Sequence, residues 1–200
     1  MLNFQNPISS INESATLAQH PFLQLAFRAS FLFATMASII ALVFWLGYLN
    51  AWWQLNSSGL TPTTWHFHEM LFGYGATIAT GFVLTAVQTW TGRPSIKGLP
   101  LLALLALWLS ARVLFFVNGA ETIALAIVLQ SSWWLLIIGY YTQLVIKAKN
   151  RRNYIFIIIF TLMMILELSI LILDVTKLQV IGNAFWPYHG IAVLFTDGYC

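Results

Sequence analysis

Five apolar stretches dominate the chain, each long enough to cross a hydrocarbon core of roughly 30 Å. They run from Phe22 to Leu49, Phe67 to Trp90, Leu99 to Val117, Ala120 to Ile146 and Tyr154 to Leu173. A sixth stretch, Val180 to Phe195, is shorter and is interrupted by Asn183, Pro187 and His189. It crosses, lies in the interface, or starts a span that the chain does not complete. The 200 residues are 60% hydrophobic and 8% charged, whereas an average soluble domain is about 25% charged. No soluble fold of this size hides that much apolar surface, so the bilayer acts as solvent and partner. The connections are short, which leaves helices rather than barrel strands to satisfy the backbone. The expected fold is all-α: a polytopic transmembrane helix bundle of five to six spans. Residues 1–20 read as a cytoplasmic N-terminal segment and residues 21–200 as the transmembrane helical domain.

The charges set the sidedness. A net charge of +3 would suggest nucleic acid only if the basic residues formed a broad solvated patch. Here they fall in short connections, so nucleic acid is not an expected partner. Arg93 and Lys97 separate spans two and three, and Lys147, Lys149, Arg151 and Arg152 separate spans four and five. The connection from Asn50 to Trp65 has no Lys or Arg, and Asn118 to Glu121 has only an acid. The positive-inside rule then puts the N-terminus and both basic loops in the cytoplasm, and Trp65 to Met70 outside. Residues 1–20 lack a basic start and a cleavage-like tail, so the first span serves as an uncleaved insertion signal. The lone Cys200 excludes an internal disulfide and a thiolate metal cluster.

The densest chemistry lies where span two meets water, in Trp65-His66-Phe67-His68-Glu69-Met70-Leu71-Phe72-Gly73-Tyr74. Imidazole and thioether ligands suit haem iron or copper. Thr61 reads as an N-cap and Pro62 as the first helical position. From that start His66, Glu69, Met70, Gly73 and Thr77 share one face. His68 points roughly opposite, with Leu71, Phe72 and Gly75, because a two-residue step turns about 200°. The two histidines therefore cannot grip one metal unless the first turn is unwound. His66 and Met70 can converge on one ion, such as Cu(I). A haem needs its second axial ligand from another helix or chain; His189 is one candidate, while His20 lies at the far end. The competing reading is interfacial: His and Trp anchor membrane boundaries, and Glu69 complements the helix dipole. Gly73, Thr77 and Gly81, and likewise Gly75 and Ala79, form small-residue stripes that admit a neighbouring helix or a flat cofactor, with helix packing as their main expected role.

Arg28, Arg112 and Glu167 lie within apolar runs, where charge is paired or functional by default. Arg28 is close enough to a span end to snorkel. Arg112 approaches the outer face at the depth of Glu69, where it either pairs with Glu69 or binds an anionic group such as a haem propionate. Glu167 requires a partner, a proton or a water-filled cavity. Trp133-Trp134 and Tyr140-Tyr141 read as packing and interface residues rather than a cofactor wall.

These residues resemble the NnrS family, bacterial inner-membrane proteins associated with nitric oxide metabolism and nitrosative stress. The resemblance rests on the block from Trp65 to Tyr74, on Gly81 through Pro94, and on Asn150-Arg151-Arg152-Asn153. His20-Pro21-Phe22 with Arg28, and Leu107-Trp108 with Ala111-Arg112, add to it, so that it covers about residues 20 to 155. The resemblance implies a haem- and/or copper-binding membrane protein. It makes His66, His68, Glu69 and Met70 the candidate metal ligands, and His66, His68, Arg112 and Gly73 the candidate cofactor contacts. A nitric oxide-related ligand, and a homo-oligomer or another membrane subunit, are the partners it suggests. Three features depart from the family: Gln88 stands where proline is usual, Glu167 where histidine or asparagine is frequent, and the family's second half has no counterpart. The chain thus reads as a short or truncated form. The expected function is an NnrS-like role in the nitric oxide response, with no turnover reaction assigned. A transporter or channel-like protein, and a non-catalytic accessory subunit of a respiratory or denitrification complex, are the alternatives.

Overall fold

The computed structural model describes residues 19–52, 59–116 and 120–196, with side chains of the last stretch described from 121 to 176. Among these residues the architecture is five helices and no strand: α1 (Ala26–Leu49), α2 (Pro62–Thr91), α3 (Leu99–Leu114), α4 (Ala120–Lys147) and α5 (Ile155–Thr196). Four of them are long and apolar enough to cross a membrane. The fifth, α3, has 16 residues and spans about 24 Å, shorter than expected for a complete crossing. The sixth apolar stretch is not a separate helix, because α5 continues through it to Thr196. Its His189 side chain, the segment before residue 19 and Cys200 lie outside the described residues.

The helices start and stop where the local chemistry directs. Thr61 caps α2, its Oγ1 accepting from the Thr64 N–H at 3.3 Å, and Pro62 opens the helix. Asp174 of α5 completes this cap across the bundle, accepting from the Thr61 N–H at 2.7 Å. At the other end of α2, Gly92 adopts φ 64°, which glycine tolerates without steric penalty, and donates to the Gln88 carbonyl. Arg93 and Pro94 follow outside the helix. Gln88 itself lies within regular helix.

Within α2, residues Glu69–Ala76 form a π-helical segment between two α-helical ones. The Thr77 hydroxyl donates to the Phe72 carbonyl five residues back, at 3.3 Å. Such wide turns re-aim side chains relative to a regular helix and recur at functional sites.

Seven of the nine Lys and Arg residues gather at one end. Arg28, Arg93, Lys97, Lys147, Lys149, Arg151 and Arg152 lie at or beyond the helix ends there, with the 3₁₀ turns Pro21–Leu23 and Arg151–Tyr154. Arg28 is exposed and donates to the Pro21 carbonyl at 3.2 Å, in keeping with a snorkelling position. His20 caps the adjacent turn, its Nδ1 accepting from the Phe22 N–H, at the opposite end of the bundle from His66. Two hydrophobic clusters form the interior. The larger contains Phe72, Leu84, Trp108, Trp134 and Tyr141, and the other Trp65, Phe115, Ile123 and Leu171.

α1 packs on α2 through a close approach at Gly81. A Cβ there would fall 2.5 Å from Ser30 Cβ, 2.7 Å from Ser30 Oγ and 3.5 Å from Phe27 Cα. The Phe27 N–H also donates to Thr85 Oγ1 at 2.9 Å. The small-residue stripe serves helix packing here. Gly81→Ala should therefore destabilise the fold by about 1–3 kcal/mol, the usual range for overpacking. Thermal unfolding in detergent, followed by tryptophan fluorescence, checks this. Ser30→Gly should restore stability to Gly81→Ala, and Ser30→Ala should not, since it keeps the obstructing Cβ.

Candidate functional site

One polar cluster lies inside the bundle, assembled from four helices. α2 contributes His68 and Glu69, α3 Arg112, α4 Gln130 and Trp134, and α5 Glu167. All six are buried; His68, Gln130, Trp134 and Glu167 are fully so. Arg112 Nη1 donates to Glu69 Oε1 at 3.0 Å and lies 3.4 Å from His68 Nδ1. Arg112 Nη2 donates to Gln130 Oε1 at 2.7 Å. Glu167 is met from two sides. His68 Nε2 lies 2.6 Å from its Oε1, while the Gln130 amide (3.2 Å) and the Trp134 indole N–H donate to Oε2.

The chemistry of this arrangement is neutralisation by contact. Arg112 balances Glu69 directly, and its guanidinium lies over the Trp108 and Phe115 rings at 5.7 and 5.1 Å, a cation–π geometry. The second carboxylate, Glu167, has Arg112 only at 4.0 Å and depends on three N–H donors. With Glu167 ionised, the carboxylate only accepts, and this contact then requires the proton of His68 on Nε2. Its Nδ1 is then free to accept from Arg112 or, when protonated, to donate to Glu69 at 3.2 Å. Phe72 and Phe115 border the imidazole at 5.7 and 4.8 Å, one from each hydrophobic cluster.

This geometry revises the face assignment made from a regular helix. His68 and Glu69 enter the same cluster; of the residues expected beside His68, Phe72 is buried against its ring, while Leu71 is exposed. The π segment begins at Glu69, so the regular register on which the expectation rested ends there. Of the two roles open to Arg112, it takes the pairing with Glu69. Gly73 makes room for that pair: an added Cβ would stand 2.8 Å from Glu69 Oε2 and 3.0 Å from Arg112 Nη1.

His66 takes no part in the cluster. Its ring stacks on Trp45 of α1, with centroids 4.3 Å apart and planes 5° from parallel, and its Nδ1 is buried without a hydrogen-bond partner. Met70 is half-buried against the cluster of Trp65, Phe115 and Leu171. Among the described residues, no three His, Cys, Asp or Glu side chains converge as a metal site. Sequence reasoning flagged Arg112 and Glu167 as intramembrane charges but missed Gln130 and Asp174, and it gave Trp134 only a packing role. A side-chain amide in mid-span was the available signal for Gln130, since an amide is costly to leave unpaired in hydrocarbon.

Removing one member of a buried charge network leaves the others uncompensated, at a cost of about 3–5 kcal/mol. Glu167→Ala should fall in that range in detergent unfolding experiments, whereas Glu121→Ala, at an exposed position, should change stability by about 0.5 kcal/mol or less. His68→Ala and Glu167→Ala should be strongly non-additive in a double-mutant cycle, because the two side chains share a hydrogen bond.

Comparison with known proteins agrees with the motif reading and extends it. The family model described as NnrS protein matches residues 21–196, beyond the 20–155 that the motifs cover. No curated protein and no solved structure matches the chain. A match over this much of its length places the chain in the NnrS family, as a nitric oxide-related membrane protein at the level of that family.

Proposed function

We propose that the chain binds haem or copper in the bacterial inner membrane, through His66, as part of the nitric oxide response. The observation that carries this reading is the unpartnered, buried Nδ1 of His66 on a ring held flat against Trp45. A metal ligand needs an imidazole nitrogen not committed to another partner and a fixed ring orientation; the unpartnered Nδ1 and the stacking on Trp45 meet these two requirements. His68 fits that role poorly, because Glu167 lies 2.6 Å from its Nε2, and Arg112 and Glu69 approach its Nδ1. Glu69 is likewise committed to Arg112. Of the four ligand candidates, His66 is thus the primary one, and His68 and Glu69 hold α2 in place. Met70, one turn beyond His66, is the soft donor nearest in sequence for copper. When bound, the metal supplies a centre able to ligate nitric oxide; the protein supplies the imidazole and the apolar surroundings. The basic loops favour a cytoplasmic placement of their end and of the N-terminus, which leaves His66 on the outer side.

The test is an oxidised and reduced absorption spectrum of detergent-purified protein, with iron and copper quantified on the same sample. His66→Ala should abolish the Soret band or the bound copper. His68→Gln, provided that it remains helical and monodisperse, should retain the metal. Undiminished metal in His66→Ala, or a loss confined to His68→Gln, would refute the assignment.

A further inference from the structure

A groove of about 490 Å³ runs between α3 and α4 on the basic half of the bundle, away from the polar cluster. Leu84 of α2, Leu104 and Ile137 are its buried floor; Pro100, Ala103 and Leu136 are exposed along its rim. Its lining includes Ile96 and Tyr140, and the Tyr140 hydroxyl reaches the Pro94 carbonyl at 3.5 Å. The groove therefore opens at the loop that joins α2 to α3. That loop carries exposed Arg93 and Lys97. Arg93 Nη2 donates to the Lys147 carbonyl at 3.2 Å, which draws the α4–α5 loop, with Lys149, Arg151 and Arg152, against the first. Residues 91–98 and 147–154 contain no carboxylate.

Apolar lining alone selects nothing in a bilayer, because acyl chains are already the solvent. Selection comes from the mouth, where cations on two loops that contain no carboxylate favour a negative headgroup at the interface. The two features share one end of the bundle, and a tail joined to an anionic headgroup satisfies both. From this juxtaposition we infer that the chain holds an anionic phospholipid, one acyl chain in the α3–α4 groove and its phosphate at Arg93 and Lys97. The site is independent of His66 and of any metal.

Native mass spectrometry of the delipidated full chain, titrated with phosphatidylglycerol or phosphatidylcholine of identical acyl chains, tests this. Phosphatidylglycerol should bind about tenfold or more tightly, the scale expected for two interfacial cations. Arg93→Gln with Lys97→Gln should remove that preference while leaving the groove intact. Ala103→Trp, which fills the groove, should weaken retention of both lipids. Should Ala103→Trp fail to fold, the loop double variant decides alone, since it alters no helix. Equal binding of the two lipids by the unaltered protein would overturn the inference. So would a preference that survives the double variant, or an uncharged isoprenoid quinone that displaces phosphatidylglycerol from the groove.

Discussion

Arg112 carries a permanent charge into the apolar interior, and the packing of four helices follows from the need to accommodate it. The guanidinium carries five N–H donors and no acceptor, so its surroundings must offer acceptors and aromatic rings. Glu69 and Gln130 supply the acceptors, and Trp108 and Phe115 the rings. Gln130 then turns its amide to Glu167, which also engages His68 and Trp134. Each polar group in hydrocarbon creates a requirement that the next one satisfies, and the chain of contacts ties α2, α3, α4 and α5 together. Such a network need not exceed a well-packed apolar core in stability. What it supplies here is register: the contacts of Arg112, Gln130 and Glu167 fix how these four helices meet, although Arg112 Nε is buried without a hydrogen-bond partner.

The π segment in α2 is part of the same accommodation. Glu69 and Gly73 both face Arg112, and Gly73 leaves no side chain where the carboxylate and guanidinium lie. His66 stays outside, on the α1 side of the helix against Trp45. One short block of sequence thus serves two neighbourhoods: a closed ionic interior, and an imidazole with a nitrogen unengaged. Asp174 fixes the same region from α5 by capping Thr61, so both ends of this block are held by side chains more than ninety residues away.

Membership of the NnrS family now rests on a match across nearly all of the described helices. The side chains of the WHxHEM block that carries the resemblance divide between two neighbourhoods. Its second histidine and its glutamate are engaged by residues of α3 and α5, whereas its first histidine stacks on Trp45 of α1. Glu167, where other members often carry histidine or asparagine, is the residue that engages His68. The departure from the family pattern and the burial of His68 are therefore aspects of one local arrangement.

The sequence by itself determined the membrane as solvent, helices as the only elements, the cap at Thr61-Pro62 and the gathering of cations at one end. These follow from local composition and from the length that an apolar helix needs to span a bilayer. It also marked Arg112 and Glu167 as charges requiring partners. It could not name Gln130, Trp134 or His68 as those partners, since the residues lie 18 to 99 positions apart along the chain. Nor could it locate the π segment, whose wide turn defeats a face assignment based on regular helical spacing. Which of His66 and His68 enters the polar cluster was decided by tertiary packing, because a helix fixes only the relative directions of its side chains, while its neighbours decide what each direction meets.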